Sequence, residues 1–212
     1  MFFYDRREAG IKLAEKLVKF RDRKDAVVLG LPRGGVVVAA EVAKKLNIEM
    51  DIVVPRKITA PDNPEYAIGA ICYDDVIILN ESEIKNLGIP KEYLNREIKE
   101  EKEEMKRRQK LYRGQKPPLV LKNRIVILVD DGIATGLTML AAVNYVLKKE
   151  PRVVIIAVPV GAQDSIHRFE EIQQINEVIC LYQPAFFGAV GAFYQIFEQT
   201  TDEEVIELMA VR

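Results

Sequence analysis

The chain has 212 residues, 49% hydrophobic and 30% charged, enough apolar matter for one sizeable core, and it reads as a single domain over 1–212. A formal net charge of -1 argues against the broad positive field of a nucleic-acid binder and against a polybasic membrane anchor. Two cysteines without CxxC spacing, no leader-like start and no apolar run of membrane-spanning length predict a soluble cytoplasmic protein without a disulfide framework or structural zinc.

Residues 6–20 carry Ile11, Ala14, Leu17 and Val18 at helical spacing, which predicts an amphipathic helix. "AVVLG", 26–30, is a β-branched run closed by glycine, and the stretch after it sets Val36, Ala39, Ala43 and Leu46 on one helical face. That pattern is strand, glycine-rich turn, helix. "IEMDIVVPRK" predicts a second strand ending in Arg56 and Lys57, and "APDNPEY" a Pro- and Asn-rich loop. "AIGAICYDDVIILN" predicts one or two strands turning near 73–75, an inserted hairpin or ribbon. Residues 89–114 predict one long charged helix with few apolar positions, among them Leu94, Ile98, Met105 and Leu111. Its acids come early and its bases late, and Glu103 and Glu104 stand four residues before Arg107 and Arg108, the pattern of a solvated, salt-bridged face. "RIVILVDD", "RVVIIAVPVG" and "EVICLY" then alternate with helical segments at 136–149 and 164–173. Strands this apolar, separated by helices, imply an α/β fold with a doubly wound, mostly parallel sheet covered on both faces. Thr201 and Glu204 have the spacing of a capping box for a last helix.

The stretch "VDDGIATGLTM", 129–139, stands where a buried strand ends and a helix begins. In an open parallel sheet that is where ligands bind. Two adjacent carboxylates there, Asp130 and Asp131, need a hydroxyl-rich ligand, a metal or neighbouring donors to offset their repulsion and desolvation. Gly132 and Gly136 permit a tight turn, Thr135 and Thr138 offer hydroxyls, and the amides opening the following helix form an anion site. A sugar diol beside a phosphate satisfies both halves. Neither G-x-x-x-x-G-K-[ST] nor G-x-G-x-x-G occurs, which disfavours a P-loop nucleotidase and a dinucleotide-binding fold.

This run resembles the signature of type I phosphoribosyltransferases, which use phosphoribosyl pyrophosphate (PRPP). The resemblance implies that Asp130 and Asp131 bind the ribose hydroxyls and touch Mg²⁺ through water, while the turn from Gly132 through Ala134, Thr135, Gly136, Leu137 and Thr138 wraps the 5′-phosphate. "GLPRGG", 30–35, is similar to the family's pyrophosphate loop, with Arg33 as a cationic fork and Gly34 and Gly35 admitting the ligand to the backbone. Arg56 and Lys57 are similar to the Arg-Lys pair before the family's mobile loop, which makes "TAPDNPEY" the expected lid. The implied chemistry is displacement at ribose C1 through an oxocarbenium-like transition state, with Asp130, Asp131, Arg56 and Lys57 around the reacting centre. The family commonly forms dimers.

In hypoxanthine-type members the third residue after the acidic pair is an aspartate that handles a proton on the base. Here it is Ala134, so a general base must lie elsewhere. His167, the single histidine, falls on a polar helix and reads as exposed and structural. The fold's variable hood is assigned to 182–198, where Phe186, Phe187, Phe193 and Tyr194 can stack on a base or equally close the core, or to the 74–94 region. The acceptor is open. Two other readings remain: a PRPP-sensing regulator that binds RNA through the basic end of the long helix (Lys106, Arg107, Arg108, Lys110, Arg113), and a hydrolase that cleaves PRPP or nucleotides.

Overall fold

The computed structural model describes residues 2–61, 63–117 and 119–210, without the side chains of Pro64 and Glu65. Among the described residues eight strands and seven α-helices follow one another as α1 (Arg6–Lys16), β1 (Ala26–Gly30), α2 (Gly34–Leu46), β2 (Glu49–Ile52), β3 (Arg56–Ala60), β4 (Asn63–Cys72), β5 (Val76–Leu79), α3 (Glu81–Asn86), α4 (Lys91–Arg113), β6 (Ile125–Val129), α5 (Leu137–Leu147), β7 (Val153–Val160), α6 (Gln163–Glu170), β8 (Glu177–Tyr182) and α7 (Asp202–Ala210). Five strands form a parallel sheet in the order β2-β1-β6-β7-β8. The order reverses between β1 and β6, the switch point at which two strand-to-helix loops part and leave a crevice.

Both faces of the sheet are covered, and the strand period of two divides the side chains between them. Val28, Ile127 and Ile155 pack under α1 and α2 with Leu13, Leu17, Ala39 and Val42. Val27, Leu29, Val126, Leu128 and Ile156 pack under α5 and α6 with Met139, Val143, Ile166 and Phe169. The doubly wound α/β expectation therefore holds. The first helix is shorter than its apolar spacing implied: it stops at Lys16 and a single 3₁₀ turn covers Val18–Phe20. Leu13 turns inward, whereas Ile11 and Val18 are exposed.

"IEMDIVVPRK" is not one strand. β2 ends at Ile52, and Arg56 and Lys57 open β3, which belongs to a separate antiparallel sheet ordered β3-β4-β5. Pro55 has no amide to continue a ladder, and the chain changes sheets there. The expected lid loop is mostly strand as well: β3 runs to Ala60 and β4 starts at Asn63, so the segment is a hairpin tip, with Asp62 outside the described residues. The turn expected near 73–75 joins β4 to β5.

α4 is the long helix expected over 89–114, beginning at Lys91 and ending at Arg113, and it is less solvated than its charge implied. Leu94, Ile98, Met105 and Tyr112 face Ile58, Ile68 and Ile71 of the ribbon and Val205 and Met209 of α7. Polar groups continue the same stripe: Glu97 accepts from Thr59 Oγ1 at 3.0 Å, and Glu101 accepts two bonds from Arg56 at 2.5 and 3.1 Å. The predicted salt bridges are present in part, Glu104 holding both Arg107 and Arg108. α3 carries no buried residue and no apolar period, which is why the sequence did not announce it. At the last helix Thr201 Oγ1 accepts from the Glu204 amide at 3.1 Å, the expected cap.

Among the described residues no helix is long and apolar enough to cross a membrane. Cys72 and Cys180 are both free thiols, each pushed up to about 12 by burial.

Candidate functional site

The crevice at the switch point brings together residues nearly a hundred positions apart. Gly30 of β1 pairs with Val129 of β6, and the Leu31 amide donates to Val129 O at 2.9 Å, so the turns beyond the two strands leave the sheet side by side. The Pro32–Arg33 peptide in the first turn is cis. Gly34 and Gly35 then lie directly against the acidic pair of the second. A Cβ on Gly35 would stand 2.6 Å from Asp130 Oδ1 and 2.8 Å from Asp130 Cα, and one on Gly34 would overlap Asp131 Oδ2. Glycine is the side chain that this approach permits.

Each aspartate uses one oxygen inside the protein. Asp130 Oδ1 accepts from the Asp131 amide at 2.8 Å, and Asp131 Oδ2 accepts from Arg6 Nε at 2.7 Å. Among the described residues no N–H or O–H donor reaches Asp130 Oδ2 or Asp131 Oδ1, so both are open to a donor from a ligand, and the two carboxyl groups lie within hydrogen-bonding reach of each other. Burial raises the Asp130 pKa well above the usual carboxylate range, the charge of Asp131 adds to the rise, and Lys57 opposes it. Lys57 is exposed and has no carboxylate partner among the described residues.

The turn after the pair presents amides. The Ile133 amide is engaged with Val160 O, and the Ile133 carbonyl accepts from Ala162. Ser165 Oγ donates to Ala134 O at 2.6 Å, and Arg168 donates to Thr135 O at 2.9 Å, so α6 takes up the carbonyls of the loop. Gly136 caps α5 with φ 78, a left-handed conformation, and no side chain bonds to the first amides of that helix. Those amides lack acceptors inside the helix and carry the positive end of its dipole, which makes an anion cradle beside two open carboxylate oxygens. Thr135 is exposed, and Leu137 and Thr138 lie in the first turn, the threonine half-buried.

The other expected cations are held by acids. Arg33 Nη1 reaches Asp202 at 3.4 Å, and Arg56 is bidentate on Glu101. Asp202 also accepts from Tyr112 Oη at 2.5 Å and Arg107 Nη2 at 3.4 Å, joining the glycine turn to α4 and α7. These donors, Tyr112 first and then Arg107 and Arg33, hold the Asp202 carboxyl below its usual range. A carboxyl whose folded pKa is depressed stabilises above its unfolded value, near 4, and loses that contribution as pH falls through the folded one. Asp202→Asn is therefore expected to cost on the order of 1 kcal/mol at neutral pH. The deficit should shrink below about pH 4, as urea unfolding at a series of pH values would record.

Of the aromatic residues considered for base stacking, Phe193 and Tyr194 are buried with Phe3 and Val160. They close the core. Phe186 is 86% exposed, and Phe187 packs half-buried on Phe193, ring centroids 5.3 Å apart; Phe197, not among those considered, lies under Arg6 at 3.8 Å. His167 is exposed between Glu170 and Glu171, as its polar surroundings implied. Arg6, Ser165, Arg168 and Phe197 at this site were not singled out from the sequence, and Tyr194 was singled out only as a stacking or core residue. The one local signal that could have fixed the place of Arg6 is Asp5, a capping residue type just before the helix. A spacious groove, about 1020 Å³ along Ile48–Asp51 and Leu208–Ala210, does not reach the acidic pair. Cavity size is a weak guide to an anion site, since backbone amides at a loop edge bind anions without an enclosed cavity.

The family model for a phosphoribosyl transferase domain matches residues 4–181. The chain belongs to the phosphoribosyl transferase family. Two Mycobacterium tuberculosis proteins that carry a provisional phosphoribosyl transferase name, MT0597 and Rv0571c, are each 41% identical over 207 residues, 98% of this chain and 46% of theirs. The chain thus spans about half the length of these relatives. TT1426 of Thermus thermophilus is 42% identical with a TM-score of 0.78, covering 99% of this chain and 98% of that one. AQ2163 of Aquifex aeolicus shares the fold at 14% identity, with a TM-score of 0.52 over 83% of this chain and 73% of that one. For a phosphoribosyl transferase the arrangement is coherent: β1 and β6 deliver glycines, carboxylates and amides to a single crevice.

Proposed function

We propose that this phosphoribosyl transferase binds Mg²⁺-PRPP and transfers ribose 5-phosphate to a nitrogenous acceptor, releasing pyrophosphate. The observation that carries this reading is the pair of open oxygens, one on Asp130 and one on Asp131, beside the uncapped start of α5. Two acceptors suit two hydroxyls. The amides of Thr135, Gly136, Leu137 and Thr138, with the two threonine hydroxyls, suit a phosphate monoester.

Among the described residues no cluster of three or more metal-ligating side chains exists. Mg²⁺ needs none when it arrives with phosphate oxygens and keeps part of its water shell, so the donor set fits it. Asp130 would be its carboxylate contact, directly or through water, because Arg6 already sits on Asp131. When bound, the ion neutralises charge on the departing pyrophosphate. Lys57, without a carboxylate partner among the described residues, supplies positive charge on that side, while Arg33 and Arg56 are held by Asp202 and Glu101. The protein acts by positioning and charge compensation at C1.

Arg107, Arg108 and Arg113 are engaged by Glu104, Asp202 and Asp51, which weakens the RNA-binding alternative. The proposal takes 1–212 as one functional unit, cytoplasmic and homodimeric, with 182–198 as the hood and 89–114 as the inserted helix. Calorimetry with PRPP and Mg²⁺ tests it. Wild type is expected to bind, and Asp130→Asn/Asp131→Asn to lose binding by roughly a hundredfold or more, two charge-assisted bonds being lost. Equal affinity in both proteins removes the site.

A further inference from the structure

None of the motifs that carry the sugar-phosphate reading contains Arg6, yet its guanidinium is engaged along its edge and on one face. Nε donates to Asp131 Oδ2 at 2.7 Å, Nη1 donates to Glu198 O at 2.8 Å, and the plane lies 3.8 Å from the centroid of Phe197. The side chain is 12% exposed. Asp5 caps α1 by accepting from the Glu8 amide at 2.8 Å, which puts Arg6 in the first helical position. That is an unfavourable place for a cation, because the helix dipole opposes it and burial strips its water. A residue set against local preference at a candidate site is where function is to be sought.

The surroundings are built for this pair. Tyr194 Oη donates to the Asp131 carbonyl at 2.6 Å, fixing the backbone from the other side. Gly34 leaves the space: a Cβ there would overlap Asp131 Oδ2 and stand 2.7 Å from Arg6 Nε. We infer that Arg6 is a positioning residue for sugar recognition, holding Asp131 Oδ2 so that Oδ1 faces one hydroxyl of the ribose. The inference rests on the sugar-phosphate reading of the crevice and adds to it a residue from the N-terminal helix and the 194–198 segment. Asp130, whose inner oxygen is held by a backbone amide, recognises the other hydroxyl without Arg6.

The two carboxylates can therefore be separated by experiment. Affinities for ribose 5-phosphate, 2-deoxyribose 5-phosphate and 3-deoxyribose 5-phosphate are measured calorimetrically with Mg²⁺ present, alongside the melting temperature of each protein. Wild type should prefer ribose 5-phosphate to each deoxy sugar by roughly tenfold, the value of a hydrogen bond to a charged group. In Arg6→Met the preference should shrink toward unity at one hydroxyl and persist at the other. Gly34→Ala, which displaces the pair without removing the charge, should behave alike. A purely structural staple would lower the melting temperature and leave both preferences intact, and that result in folded Arg6→Met overturns the inference alone. If Arg6→Met does not fold, Arg6→Lys decides, since it keeps the charge and loses the fork. It must lose the same preference, and keeping both overturns the inference. A wild type that binds none of the three sugars overturns the sugar-phosphate reading and this inference with it.

Discussion

Gly35→Ala is expected to weaken Mg²⁺-PRPP binding by roughly a hundredfold, the scale of effect that follows when a binding group is displaced by about an ångström. The new methyl would meet Asp130 Oδ1 at 2.6 Å, Asp130 Cα at 2.8 Å and Val129 O at 3.0 Å. Two of these atoms are backbone at the end of β6, buried on both faces of the sheet, and cannot swing aside. The turn after β1 must therefore move away from the turn after β6, opening the crevice that brings the glycines to the carboxylates. Overpacking of this kind costs about 1–3 kcal/mol of stability, so the protein should still fold. Gly34→Ala is the instructive comparison. Its methyl meets the ends of the Asp131 and Arg6 side chains, which can rotate, and its effect should be confined to what that ion pair does. Calorimetry with PRPP, alongside thermal melts, separates the two. Affinity within about threefold of wild type in folded Gly35→Ala would show that contact between the turns is not needed for binding.

The parallel sheet was legible because its strands are short β-branched runs bounded by turn residues, and because both faces are buried, which leaves no polar alternation to confuse the pattern. The acidic pair and the turn after it could be read as a local motif, since the carboxylates, glycines and hydroxyls that stand at the end of β6 and the start of α5 are adjacent in sequence. What failed was anything that depends on a change of partner. Ile48 to Lys57 reads as one continuous strand, and only the tertiary structure reveals that β2 joins the parallel sheet and β3 the ribbon. The inner face of α4 was hidden for a different reason. Positions 94, 98, 101, 105, 108 and 112 form one stripe, but Glu101 and Arg108 look like solvent residues until Arg56 and Glu104 are set against them. Arg6 is 125 positions from Asp131, and no periodicity in the chain connects them.

The largest expected loss of stability comes from the place where α4 is pinned to the sheet. Arg113 donates to both oxygens of Asp51 at 2.9 Å, and its Nη2 also reaches Pro117 O at 2.7 Å, while Asp51 Oδ1 accepts from the Ile52 amide. Both side chains are nearly buried, 11% and 7% exposed. Removing one partner of such a pair leaves an uncompensated charge, so Asp51→Ala is expected to cost about 3–5 kcal/mol. In a chain of this size that lowers the melting temperature by roughly 10 °C. Replacing both partners, as Asp51→Leu/Arg113→Met, should recover most of the loss, because desolvating two charges cancels much of what their attraction contributes. A double variant as unstable as Asp51→Ala would mean that the bonds to Pro117 and Ile52, and not charge compensation, are what matter. Ligand binding should respond far less than stability. Glu101 and Glu97, which hold Arg56 and Thr59, lie at least three helical turns from Arg113, about 18 Å along the axis, and the apolar contacts of Met105 and Ile98 keep that half of α4 on the ribbon. The helix can thus loosen at its end without releasing Arg56 from Glu101. Comparing melting temperature with PRPP affinity in Asp51→Ala would show whether the two ends of α4 behave as separate clasps or as one.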